Sequence, residues 1–257
     1  MEFYLWKIFV LLAVALFAVS NSFANIQFSF DLIEKPINYS EVDFSSVRGE
    51  DVDNYTGSVT KLLEFGFQAG IVYFFDSDVG KILFSSLDEN SEENQQENQT
   101  GISKYQSGIY FDFEMLSYGK AKFKIKEDDT TREILDDKVD GKDFSLALGF
   151  CGRYNKSEKF FFDFKLGVYG GYTSFESKED SYNVKSFAGG CEAGISVNYK
   201  VFKTPKFTTA VSLGCEMNIG SCFGTLYESG YHDSVFALFS KSNEIGIEVH
   251  AGVKFIL

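Results

Sequence analysis

Two histidines in 257 residues limit the acid–base chemistry open to this chain. His232, Asp233 and Ser234 stand together, with Glu244 further along. An imidazole that activates a hydroxyl while a carboxylate orients the ring is the arrangement of a hydrolase. Asp233 is poorly placed to orient that ring, because neighbours on an extended segment point to opposite sides. A hydrolytic site would therefore be built from His232, Ser234 and Glu244. His250 alternates with Glu248 and Lys254 and suits a hydrogen-bonded interior better than catalysis. The densest acidic clusters are Glu127, Asp128 and Asp129, and Asp136, Asp137 and Asp140. They lack the spacing of an EF-hand loop. No Cys/His spacing matches a zinc site, and Cys151, Cys191, Cys215 and Cys222 force no disulfide. No metal and no cofactor are expected.

The remaining charged residues fall in an ordered pattern. From Ile245 to Leu257, Ile245, Ile247, Val249, Ala251, Val253, Phe255 and Leu257 share one face of a strand, while Gly246, Glu248, His250, Gly252 and Lys254 share the other. The same two-sided pattern recurs upstream. The apolar faces hold sets such as Phe65, Phe67 and Ile71, or Phe162, Phe164 and Leu166. The opposite faces hold Glu64, Asp112, Glu114, Lys122, Lys124, Lys126, Arg153, Asp163, Lys165, Glu192, Glu216, Glu248, His250 and Lys254, interleaved with Gly66, Gly70, Gly149, Gly167, Gly189 and Gly214. Lipid outside and a narrow interior inside account for both faces, since charges in such an interior must pair and glycines give it room.

The elements that would carry this pattern are strands. With 29 Phe, 14 Tyr, 23 Gly and only 2 Pro, the composition suits aromatic-rich strands. Period-two segments occur near 26–33, 60–75, 81–86, 105–116, 120–126, 143–154, 159–175, 182–201, 207–220 and 245–257. The expected fold is all-β, a transmembrane antiparallel up-and-down β-barrel of about ten strands, with eight as the alternative if the first and third are discounted, and with both termini in the periplasm. Connections at 76–80, 117–119, 155–158 and 202–206 read as short periplasmic turns. Those at 34–59, 87–104, 127–142, 176–181 and 221–244 read as longer exterior loops. Aromatics beside the short turns (Tyr73, Phe75, Tyr154, Phe160, Tyr199 and Phe207) would form a girdle at the periplasmic rim. Residues 1–24 read as a cleaved signal peptide, with Lys7 before an apolar run from Ile8 to Val19 that is too short to span a bilayer. Residues 25–257 form the barrel domain.

A net charge of −13 makes nucleic acid an unsuitable partner. The acids gather in the longer loops, as at Asp88, Glu89, Glu92, Glu93 and Glu97. That predicts an anionic exterior able to meet an extracellular ligand. Lys156, Lys159, Lys200 and Lys203 gather at the short turns, where lipid phosphates lie.

The terminal run Val249-His-Ala-Gly-Val-Lys-Phe-Ile-Leu257 resembles the assembly signal of bacterial outer-membrane proteins, though Leu257 stands where the terminal aromatic is usual. The whole chain resembles the small outer-membrane barrels of the OmpA-like, OmpW-like and opacity-type groups. His232, Ser234 and Glu244 resemble in outline the residues of a lipid A deacylase barrel, and His232 with loop acids resembles an omptin protease. The omptin Asp-x-His pair is absent. The resemblance to outer-membrane barrels implies residence in a bacterial outer membrane as a monomer, contact with its lipid, and recognition by the barrel-assembly machinery through the C-terminal strand. The expected function is a structural or surface-interaction role, adhesin-like, with a mostly closed ion-paired lumen. A small-solute channel is the alternative, and an outer-membrane hydrolase the third reading.

Overall fold

The structure, a computed structural model, describes residues 25–48, 51–62, 64–75, 105–127, 130–136, 139–177, 182–228 and 236–257. The expected signal peptide at 1–24, the 81–86 segment, the 87–104 acidic run, His232 and Ser234 lie outside these residues. All the regular structure within them is β. The strands are β1 (Ile26–Arg48), β2 (Asp51–Leu62), β3 (Glu64–Phe74), β4 (Tyr105–Tyr118), β5 (Lys120–Glu127), β6 (Thr130–Asp136), β7 (Val139–Asn155), β8 (Phe160–Ser177), β9 (Tyr182–Lys203), β10 (Thr208–Glu228) and β11 (Phe236–Ile256).

Antiparallel pairing runs β1-β3-β4-β7-β8-β9-β10-β11, and β11 returns to β1. Among the described residues the closed ring thus has eight strands, the smaller of the two expected counts. β3 and β4 pair directly from Phe65↔Ser117 to Phe74↔Gly108, which leaves no place between them for a strand at 81–86. The segments 105–116 and 120–126, expected as two crossings, are one rising path. β4 pairs with β3, and beyond Gly119 β5 pairs with β2 in the same direction. Ser117, Tyr118 and Gly119 carry turn chemistry, yet they mark a kink within a strand. β2, β5 and β6 extend the sheet from the far half of β1 on one side only.

Following inward-facing partners around the ring from Gln27, through Val72, Tyr110, Gly149, Gly167, Glu192, Asn218 and Gly246, leads back to Asn38 of β1, 11 positions beyond the start. One of those positions is absorbed by a bulge between Glu34 and Ile37. The bulge sits at Pro36, which has no N–H for the ladder. A stagger of this size tilts the strands by about 40° to the barrel axis.

One end of the barrel gathers both termini. Phe74 N–H donates to Asn25 O at 2.9 Å, Leu257 N–H to Ile26 O at 2.9 Å, and Phe75 N–H to Ser107 O at 2.8 Å. The turns 156–159 and 204–207 close at this end. Ser157 Oγ accepts from Phe160 N–H at 3.0 Å, and Thr204 Oγ1 accepts from Phe207 N–H at 3.0 Å. These side-chain-to-backbone bonds are those of short polar turns. Phe75 and Tyr105, which flank 76–104, also stand at this rim. The expectation that 87–104 opens on the side opposite the termini falls outside the described residues. Much of the other four expected loops, 34–59, 127–142, 176–181 and 221–244, is strand, since β1, β2, β6, β10 and β11 run further than alternation suggested.

The outer face is an apolar belt. Phe111, Leu148, Phe164, Leu166 and Leu213 are 47–64% exposed. Aromatic pairs ring the termini's end: Tyr105–Tyr154 at 5.1 Å, Phe160–Tyr199 at 4.8 Å and Phe202–Phe207 at 5.9 Å between centroids. A second zone, Tyr172–Phe187 at 5.1 Å and Phe187–Phe223 at 5.7 Å, lies about ten residues up β8, the length of one tilted crossing. Phe164, between the two zones, gives a test of the belt. Phe164→Arg should destabilise the barrel refolded in lipid vesicles by about 2–4 kcal/mol in urea unfolding. A change within error would show that this face does not meet hydrocarbon.

Candidate functional site

The interior is filled by charged side chains that reach across it. At the termini's end Arg153 Nε donates to Asp163 at 2.8 Å, and its Nη2 donates to Asp163 at 3.1 Å and to Gln27. The guanidinium carbon lies 4.4 Å from the Phe74 ring centroid and 4.1 Å from that of Phe161, so the cation is stacked as well as paired. Lys254 Nζ donates to the same Asp163 at 2.8 Å and to Ser196 Oγ at 2.9 Å. Further up, Lys165 Nζ donates to Asp112 at 2.5 Å and to Glu216 at 3.0 Å. Tyr110 O–H donates to Glu192 at 2.6 Å. Above these, Lys35 stands 3.7 Å from Glu114 and 3.6 Å from Glu248. Next, Lys61 pairs with Asp143 and lies 3.9 Å from Glu64, whose other oxygen accepts from Asn38 at 2.9 Å.

Three of these bonds span the bore. Gln27–Arg153 joins β1 to β7, Tyr110–Glu192 joins β4 to β9, and Asp163–Lys254 joins β8 to β11, each pair three places apart in a ring of eight. Glycines make room for the longest reach. A Cβ at Gly149 or Gly167 would collide with the Tyr110 ring or hydroxyl, so the phenol lies flat across β7 and β8 to meet Glu192. An apolar wall of Val72, Phe74, Tyr110, Ala147 and Cys151 fills one side. Between the two lower tiers is a cavity of about 10 Å³, lined in part by Asp31, Lys165 and His250, room for about one water.

The structure places eleven of the residues expected in the interior there: Glu64, Asp112, Glu114, Arg153, Asp163, Lys165, Glu192, Glu216, Glu248, His250 and Lys254. Lys122, Lys124 and Lys126 stand on β5, outside the ring. Lys122 pairs with Thr60, on the face opposite Ala121 and Lys61, and Lys124 and Lys126 pair with Ser58 and Thr56. Gly189 takes outward parity, and Gly190 the parity of Glu192. Glu244 is buried inside β11. Lys35, Lys61, Asp31 and Asp143 were not anticipated. Lys35 continues the inward series Gln27, Ser29, Asp31, Ile33, and that series was legible in the sequence until Pro36 shifted its parity.

These changes alter the charge balance. Among the described residues the inward acids are Asp31, Glu64, Asp112, Glu114, Asp143, Asp163, Glu192, Glu216, Glu244 and Glu248. The bases are Lys35, Lys61, Arg153, Lys165 and Lys254, with His250. Ten carboxylates face these five permanent cations and Lys200, whose Nζ lies at the rim 5.4 Å from the Phe161 ring centroid, so the interior is acidic. No disulfide joins the four cysteines; Cys151 is buried, and Cys191 and Cys215 lie on the outer face.

A closed antiparallel ring with an apolar belt, two aromatic zones and a charged interior is the fold of the small outer-membrane β-barrel proteins. Among solved structures, outer membrane protein OprG from Pseudomonas aeruginosa superposes with a TM-score of 0.51 at 10% identity, over 91% of this chain and 95% of that one. The outer membrane protease OmpT from Escherichia coli gives 0.44 at 11% identity over 92% and 98%, and Neisserial surface protein A gives 0.39 at 10% over 90% and 97%. At these identities the likeness concerns the fold alone. No family model matches the sequence, and no curated protein matches it.

Lys165 is the sole cation within ion-pair reach of Asp112 among the described residues, and it also holds Glu216. Lys165→Met should therefore cost about 3–5 kcal/mol in urea unfolding, because two buried carboxylates lose their cation. Adding Asp112→Asn and Glu216→Gln should recover a large part of that loss. Equal stability of wild type and Lys165→Met would remove the pairing from any role in holding the barrel.

Proposed function

We infer that the protein is an outer-membrane barrel that does not act as a diffusion pore and that meets its surroundings through the strand extensions at the end opposite its termini. The observation that carries this reading is the set of three bonds spanning the bore between strands three places apart. An eight-stranded ring is just wide enough for side chains to fill, and here they join across it. A solute would have to break buried charge pairs to pass, and such pairs are expensive to break.

In this reading both termini face the periplasm, as in bacterial barrels with an even strand number. β1, β9, β10 and β11 have 23, 22, 21 and 21 residues, against the 9–11 that a crossing needs. The excess lies beyond the second aromatic zone, and the β2–β5–β6 extension adds to it on one side. The result is a raised, hydrogen-bonded platform on the cell exterior, where binding residues are usually carried. The barrel sits in the membrane as a monomer, with its apolar belt against lipid.

Two measurements test this. In a planar bilayer the refolded protein should show no steady openings; well-defined unitary currents would replace the closed reading with a channel. In intact cells a membrane-impermeant thiol reagent should label Glu176→Cys. Lys203→Cys and Lys156→Cys should be labelled only after the outer membrane is permeabilised. Labelling of Lys156→Cys in intact cells would invert the orientation.

A further inference from the structure

Glu216 and Glu248 are direct partners across β10 and β11, 3% and 1% exposed on the inward face. Like charges directly opposite each other in a sheet repel, and little water is present to screen them. The lysines in reach do not neutralise them. Lys165 divides its charge between Glu216 at 3.0 Å and Asp112 at 2.5 Å, and Lys35 divides its charge between Glu248 at 3.6 Å and Glu114 at 3.7 Å. Four carboxylates thus meet two ammonium groups, which leaves two negative charges.

A second observation comes from the polar atoms themselves. Neither carboxylate oxygen of Glu248 accepts a hydrogen bond, and Nδ1 of His250 has no hydrogen-bond partner, although His250 is only 4% exposed. Buried polar atoms without partners are rare in native interiors and call for a cause. Nδ1 stands 4.0 Å from Glu216 Oε1, too far for a hydrogen bond. The ring is seated against Gly214, where a Cβ would run into Nε2, and this turns Nδ1 toward the carboxylates. One donor atom from each of Glu216, Glu248 and His250 falls within 4.8 Å of the others.

We propose that Glu216, Glu248 and His250 form an interior binding site for one divalent cation of the zinc type. Two carboxylates and an imidazole are a donor set that this ion accepts. Bonds of about 2.0–2.2 Å need donors roughly 3–4 Å apart, so a closing movement of about 1 Å suffices. The cation brings four carboxylates and two lysines to neutrality. The cavity beside Glu216 and His250 has room for a water as fourth ligand. The ion would tie β10 to β11 and join the middle tier to Lys35 above. No sequence motif announces the site, because its donors come from two strands and meet only in the correct register.

The full chain, refolded in detergent micelles and stripped with EDTA, is titrated calorimetrically with Zn²⁺ alone. One Zn²⁺ per chain is expected, with a urea midpoint that rises when Zn²⁺ is present. Glu248→Gln and His250→Ala should each weaken binding by about tenfold or more and abolish the rise in midpoint. Cys191→Ala with Cys215→Ala should leave both unchanged, since those thiols face outward. Wild-type protein that takes up no stoichiometric Zn²⁺, or binding that survives in both ligand variants, overturns the site. A Glu248→Gln protein more stable than wild type whether or not Zn²⁺ is present would also overturn it, because the two carboxylates would then be sharing a proton.

Discussion

A chain that crosses hydrocarbon as strands must leave no backbone group unpaired, because lipid offers neither donor nor acceptor. In this protein that constraint rests on the ladder between β1 and β11, which joins the first and last strands from Gln27↔Ile256 to Val47↔Phe236. Without it the other pairings would make a curved open sheet with two bare edges. With it the sheet becomes a ring, and the stagger that permits closure also fixes the tilt and the bore. Pro36 shows how firmly closure governs the rest. A residue unable to donate sits inside the closing ladder, and a bulge takes up the defect so that inward parity resumes at Asn38.

Once the ring is closed at eight strands, its interior cannot hold both wide water and long side chains. The sequence fills it with long polar side chains laid flat. Tyr110 crosses two strands over Gly149 and Gly167, and His250 rests on Gly214. The glycines and the charged residues are therefore one design, since each long reach needs a neighbour without a side chain. This explains why the inward face is rich in both, a combination that a sandwich's solvent face would not require.

The sequence disclosed the two faces and most interior residues because alternation is a local property, readable two positions at a time. Eleven of the fourteen expected lumen residues lie on that face for this reason. The three that do not, Lys122, Lys124 and Lys126, alternate just as well. Their displacement depends on Gly119 being a kink and not a reversal, and only the pairing of β4 with β3 and β5 with β2 decides that. Ser-Tyr-Gly has the chemistry of either. Lys35 was hidden by the opposite kind of event, a parity shift at Pro36 that cut the alternation short.

The polar interior raises the question of why a filled bore is not simply apolar, since replacing buried ion pairs by well-packed hydrophobic residues is often neutral or stabilising. The lengths of the strands suggest a reason. β9, β10 and β11 have 22, 21 and 21 residues, and about 20 consecutive apolar residues make a transmembrane helix. If Glu192, Ser196 and Asn198, or Glu248, His250 and Lys254, were leucines, 187–199 and 245–257 would each become an unbroken apolar stretch of 13 residues, a long step toward that length. Each added apolar position raises the tendency of the segment to enter the first membrane it meets as a helix. Placing charges at alternate positions holds each segment below that threshold while leaving the lipid face fully apolar. The charges are then brought together, and neutralised, only in the finished barrel. On this argument the interior charges serve the chain before it folds, and their pairing is the condition for keeping them afterwards.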